Sequence, residues 1–243
     1  MNGASIKTVF DREFMGYFRT PVAYVFLVVF IVSSIGLTWF VGHIFDRNQA
    51  TMDSFFFFIP WVYLFLVPAV GMRLWAEERR SGTWELLFTL PVRVSEAVIG
   101  KFLAAWAFLT IAILSTFTLP LSIGYLGDPD WNLIVTGYLG CILMAGAYLG
   151  ICSLSSALTR SQVISFVISV VVCMVLVFMG WSVFNAFLNS LHLPAYITDL
   201  ITSIGFIPHF DPMKLGLIRL QDLGFFLTVI VVTLSLNVLI LKR

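Results

Sequence analysis

The stretch Arg73–Lys101, RLWAEERRSGTWELLFTLPVRVSEAVIGK, decides how the chain is read. It is the one long, densely charged interruption between strongly apolar segments. Arg73, Arg79, Arg80, Arg93 and Lys101 alternate there with Glu77, Glu78, Glu85 and Glu96. A connection that only rejoined two membrane helices would need a few residues. This one has room for a short helix, because Thr83–Leu90 contains no Gly or Pro and lies between the breakers Gly82 and Pro91. Eight helical residues span roughly 12 Å, with Trp84, Leu87 and Phe88 on one face and Glu85 turned elsewhere. Such a helix across the end of a helix hairpin is shaped to touch a partner. A solvated, charge-rich connector fits the same pattern.

Outward from this stretch the chain is apolar. Hydrophobic residues make up 60% of the 243, charged residues only 11%, and mean hydropathy is +0.99. A soluble domain of this length needs far more polar surface, so the expected fold class is an all-α integral membrane protein. Six stretches are long enough for a bilayer that needs about 20 residues: 22–42, 55–72, 102–126, 132–157, 161–184 and 223–241. Pro60 and Pro68 predict a kink in the second, and Pro120 a bend near the far end of the third. Ahead of the first span, residues 5–18 set Ile6, Val9, Phe10, Phe14, Tyr17 and Phe18 on one stripe, with Lys7, Asp11 and Arg12 opposite. This is the pattern of an interfacial helix ahead of Pro21. No cleavable signal peptide is expected, because the start is polar and the first apolar run is long enough to span.

With the N-terminus inside, the inner segments hold Lys7, Arg12, Arg19, Arg73, Arg79, Arg80, Arg93, Lys101, Arg160, Lys242 and Arg243. The outer ones hold Arg47, Lys214 and Arg219. That asymmetry puts both termini and the 73–101 loop in the cytoplasm. The outer loops 43–54 and 127–131 are short. Residues 185–222 form a longer, apolar loop broken by Asn185, Asn189, Pro194, Pro208 and Pro212, and read as short amphipathic or re-entrant helices. A seventh span is disfavoured by Asp199 and the prolines. In the fourth span, Gly146 and Gly150 form a small-xxx-small pair suited to close helix packing, within the chain or against a second copy.

Catalysis by this chain is not expected. No ionisable residue is expected in the middle of a span, where ion-coupled carriers commonly place one. His43, His192 and His209 lie at span ends or in outer loops, without ligand spacing, and read as solvated or interfacial. Cys141, Cys152 and Cys173 fall inside apolar runs and suggest no disulfide or zinc motif. Gly100-Lys101 is no phosphate loop: Ser95 stands where its first Gly belongs and Phe102 where Ser or Thr would bind magnesium. Uphill movement would need energy from another polypeptide.

The run Glu77-Glu78-Arg79-Arg80-Ser81-Gly82-Thr83, with Glu85-Leu86-Leu87, Thr89-Leu90-Pro91 and Gly100-Lys101, resembles the cytoplasmic loop of ABC-2 type permeases. The resemblance points to the branch of gliding-motility and nitrous-oxide-maturation permeases. A second match is Phe210, Asp211, Gly216, Ile218, Leu220 and Asp222 before the last span. Trp84 departs from the smaller aliphatic residue of the pattern, and Pro212-Met213-Lys214 from its Ser and aromatic residues.

The resemblance implies an ABC-2 exporter-type fold over 1–243: an elbow helix at 5–18, six spans, a coupling helix within 73–101, and short helices in 185–222. It implies docking of an ATPase through Glu77, Glu78, Arg79 and Arg80, with Gly82 as hinge. Thr83, Trp84, Glu85 and Leu87 would complete the contact, and Lys7, Phe10, Arg12 and Phe14 would flank it on the elbow helix. ATP and magnesium would sit on two separate ATPase subunits, with no cofactor in this chain. The other expected partners are a second permease copy or relative, membrane lipids and an extracytoplasmic accessory protein; no nucleic acid is implied. The setting would be a bacterial or archaeal cytoplasmic (inner) membrane. The implied function is export of a lipid-like, peptide or polymer substrate. The alternative is mechanotransmission to a periplasmic partner without translocation.

Overall fold

A computed structural model describes residues 3–42, 51–82, 93–190 and 194–242. The described residues form helices and contain no strand: α1 (Gly3–Phe18), α2 (Pro21–Phe40), α3 (Asp53–Gly71), α4 (Arg73–Ser81), α5 (Val94–Ser115), α6 (Thr118–Leu126), α7 (Trp131–Leu158), α8 (Gln162–Gly180), α9 (Ser182–Ser190), α10 (Ala195–Ser203), α11 (Phe206–Lys214) and α12 (Leu220–Leu241). Among the described residues, six segments are long and apolar enough to cross a membrane: Pro21–Phe40, Asp53–Ser81, Val94–Leu126, Trp131–Leu158, Gln162–Gly180 and Leu220–Leu241.

The bundle is organised around α7, which packs on α3, α4, α5, α8, α11 and α12. Of its most apolar stretch, 78% is buried, against 22% for α2 and α12. The cause is side-chain size. Small residues recur along α7, and a Cβ at Gly137 would overlap the Phe56 ring of α3, while one at Gly150 would overlap Thr233 of α12. Without bulk, neighbouring backbones approach closely, which is how helices associate where lipid offers no hydrophobic contrast. Gly146 likewise faces Ile230 of α12 and Trp106 of α5, so the Gly146/Gly150 pair packs within the chain. Aromatic polar tips are satisfied across the same interfaces. Tyr63 donates to the Cys141 carbonyl at 3.2 Å, Tyr148 to the Pro60 carbonyl at 3.0 Å and Trp106 to the Ile142 carbonyl at 2.8 Å.

Two spans are interrupted, and each break has a local cause. The second changes from α3 to α4 at Met72, following Pro60 and Pro68. The third breaks at Thr116-Phe117, between α5 and α6. Thr116 is four residues before Pro120, whose ring clashes with that carbonyl in a continuous helix.

The charged stretch is more helical than its sequence predicts. α4 carries the second span through Arg73–Ser81, and α5 starts at Val94, seven residues before Lys101. The helices of the second and third spans thus run further into the charged stretch than the expected bounds of 72 and 102, to Ser81 and from Val94. Gly82 ends α4 in the left-handed conformation, φ 71°. Thr83, Trp84, Glu85 and Leu87, with the expected coupling helix 83–90, lie outside the described residues. At the other end of the bundle, the fifth span stops at Gly180 rather than 184, and α9, α10 and α11 follow. Within α11, Phe206, His209, Phe210, Pro212 and Met213 are buried against the spans, so this helix is inserted rather than laid on the surface.

Candidate functional site

The densest polar constellation is built where α1, α4 and α5 meet. α1 presents its apolar stripe to α5: Val9 closes on Gly100, and Tyr17 stacks on Phe108 with ring centroids 4.9 Å apart. Burial, then the nearby Glu13 carboxylate, pushes the Tyr17 phenol up, so it remains neutral and packs as an aromatic. Phe10 and Phe14 stack at 5.4 Å, while Lys7 and Arg12 are exposed and Arg12 pairs with Glu13 at 2.7 Å.

Lys101 lies one turn along α5 from Ala97 and is only 3% exposed. Its ammonium reaches Glu78 Oε1 at 2.5 Å, the Leu74 carbonyl at 3.1 Å and Glu13 Oε1 at 3.7 Å, and lies 4.8 Å from the centre of the Trp75 ring. One cation thus ties α1, the end of the second span and the start of the third. Buried charge is tolerated because its acceptors are supplied by the protein. Glu96 is also buried; its Oε2 accepts from the Arg93 backbone N–H at 3.3 Å and caps α5. Both residues lie in the first turns of α5, ahead of the expected span 102–126, and not in the middle of a span. Each is near a helix end, where pairing is available.

A second layer fixes α4 to α7. Ser156 Oγ accepts from the Trp75 and Ala76 N–H groups at 3.0 Å each and donates to the Met72 carbonyl at 2.9 Å. A hydroxyl from one span therefore caps the helix that restarts in another. Trp75 Nε1 donates to Ser153 Oγ at 3.3 Å, and Asn237 Nδ2 of α12 donates to the same oxygen at 2.6 Å. Nothing in sequence spacing marks Ser153, Ser156 or Asn237. Their partners are about 80 residues away along the chain.

Of the residues expected to dock a partner, Glu78 turns into this constellation. Glu77 and Arg80 are exposed on α4, and Arg79 is half-buried. Glu13 went unnoticed in the sequence because its role depends on Lys101 arriving from the third span.

At the opposite end, the second sequence match resolves into separate roles. Phe210 is buried, Gly216 takes φ 78° after α11, and Ile218 and Leu220 are exposed. Asp222 accepts His209 as its partner: Nδ1 to Oδ1 is 2.8 Å, and His209 Nε2 donates to the Ser203 carbonyl at 2.9 Å. The imidazole stacks on Phe225 with centroids 3.9 Å apart. His209 is 8% exposed, so of the expected solvated or interfacial placements the solvated one does not hold. The physical reason is Asp222, which compensates a polar ring inside an apolar interface. Cys141, Cys152 and Cys173 are free and buried.

A family model described as ABC-2 family transporter protein matches residues 43–241, most of the chain. No curated protein matches it.

Proposed function

The chain belongs to the ABC-2 transporter family, as a membrane permease subunit of an ABC transporter, and we propose that it is driven by two separate ATPase subunits docking at the 73–101 segment. The observation that supports this reading is the Lys101 junction. The family works with ABC ATPase subunits, and a push on the segment after α4 would act through Glu78 on Lys101 and on Glu13 of the elbow helix. Glu77, Arg79, Arg80 and Gly82, followed by Thr83, Trp84, Glu85 and Leu87, would form the contact. The termini and this junction would face the cytoplasm of a bacterial or archaeal cell. The transported material would be amphiphilic, since the spans carry apolar surface and few charges at depth.

The test is co-purification and coupled turnover. Co-expressed with the ABC ATPase of its host, the permease should form a stable complex whose ATP hydrolysis responds to the membrane subunit. Lys101→Met should keep the complex but reduce that response about tenfold, a coupling change of ordinary size. Glu13→Gln, at a half-buried position on α1, should act in the same direction with less risk to folding. A permease that binds no ATPase, or variants with full coupling, would sink the proposal.

A second reading, mechanotransmission without translocation, is favoured by one feature. α12 bonds Ser153 through Asn237 near one end and His209 through Asp222 near the other. A shift of α4 would thereby reach α11. ATP-dependent change in protease or label access at α9–α11, with no substrate moved in vesicles, would select this reading.

A further inference from the structure

At the end of the bundle away from Lys101, a cavity of about 350 Å³ opens between α3, the α8–α9 junction and α11. Its walls are aromatic, including Phe57, Trp61 and Trp181; the two indoles meet edge to face at 5.6 Å. Three polar side chains break that wall: Asn185, Asp211 and Lys214. The Asn185 Oδ1 atom is buried, yet no donor among the described residues reaches it. An orphaned buried acceptor is costly unless something supplies a donor. Lys214 Nζ stands 2.5 Å from Asp211 Oδ1 without forming a directed hydrogen bond, and the Asp211 side chain remains 47% exposed. The cavity therefore offers a cation and an anion side by side, beside an unused acceptor and several π faces.

We propose that this cavity binds the headgroup of a zwitterionic aminophospholipid, phosphoethanolamine in kind. A purely anionic headgroup would meet Asp211, and a purely cationic one would meet Lys214. A phosphate next to a primary ammonium matches both, phosphate toward Lys214 and ammonium toward Asp211 and the aromatic faces. Asn185 separates the two common zwitterions: its Oδ1 needs an N–H donor, which a primary ammonium has and a quaternary one lacks. The depth agrees at the cavity's outer edge: Phe57 lies one turn into α3, roughly 6 Å from its start, where a span leaves the hydrocarbon and meets headgroups, with Trp61 one turn deeper. The volume is at the small end of ligand pockets, about 300–1,000 Å³, suited to a headgroup with its acyl chains left in the bilayer. The inference deepens the amphiphile reading and rests on it for the site's place at the membrane surface.

The purified permease, without any ATPase, would be titrated in detergent micelles with dioleoyl phosphatidylethanolamine, phosphatidylcholine and phosphatidylglycerol. Bound lipid would be counted by native mass spectrometry. Retention of one phosphatidylethanolamine with about tenfold preference over the other two, equal to about 1.4 kcal/mol, is the expected result. Soluble glycerophosphoethanolamine should compete, which acyl-chain binding alone would not allow. Asn185→Leu should abolish the preference while leaving lipid-free thermal stability unchanged or higher, because it removes an unsatisfied acceptor. Lys214→Gln should weaken binding of phosphatidylethanolamine severalfold. Equal retention of all three lipids, or a preference kept in Asn185→Leu, overturns the proposal. So does a lipid-free melting temperature several degrees lower in Asn185→Leu, which would make Asn185 a packing residue. Binding is read without turnover, so its failure leaves ATPase coupling intact, and failure to couple leaves binding intact.

Discussion

Lys101 and His209 show what a single residue does in a chain with few charges. Each is buried, and each is surrounded by acceptors from other helices rather than from its own neighbourhood. His209 faces the Ser203 carbonyl through one ring nitrogen and the Asp222 carboxylate through the other, so both of its polar atoms are matched by acceptors. Glycine works at this scale by absence. Gly150→Val would drive methyl groups into Thr233 and should destabilise the fold by about 1–3 kcal/mol, read as a lower melting temperature and loss of monodispersity in detergent. Gly36 in α2 has nothing within 4 Å of its absent Cβ. Gly36→Ala should therefore be neutral, or stabilising by up to about 1 kcal/mol. Equal losses in the two variants would contradict the packing of α7 on α12.

At the scale of the element, α4 is the informative case. Its sequence, RLWAEERRS, reads as a polar loop by hydropathy, yet it is helical because its restart is capped by Ser156 of α7 and its end is released by Gly82. Ser156→Ala removes both accepted bonds and should cost about 1–2 kcal/mol at this helix start. Hydrogen exchange should detect it as roughly tenfold faster exchange at Trp75 and Ala76, with α8 unchanged. Uniform acceleration through the bundle would instead mean that Ser156 serves global packing. The gap between α5 and α6 was more legible, because Pro120 announces a break near its own carbonyl partner four residues earlier. The short helices α9–α11 were legible as helices broken by proline; the insertion of α11 against α7 was not.

For the whole molecule, six spans would place α1 and the end of α12 on one side of the membrane, the side expected to hold most of the basic residues. With Asp128 and Arg160 both exposed in loops at opposite ends of α7, a labelling experiment fixes the orientation. In intact cells, Asp128→Cys should react with an impermeant maleimide and Arg160→Cys only after permeabilisation; the native thiols are buried and should stay silent. The reverse pattern would put the Lys101 junction outside the cell and remove the coupling proposal.

Hydropathy and length by themselves determined the all-helical membrane class and the six spans, since crossing a bilayer requires continuous apolar helix whatever the neighbours are. Local chemistry also marked Gly82 and Pro120 as special positions, and the family resemblance marked Asp222. Only the tertiary structure decided which charges are buried and what they hold. Lys101 finds Glu78 across 23 residues and Glu13 across the first two spans. A buried charge is stable only where partners from separate helices converge, and that convergence is set by packing around the small residues of α7, not by spacing along the chain.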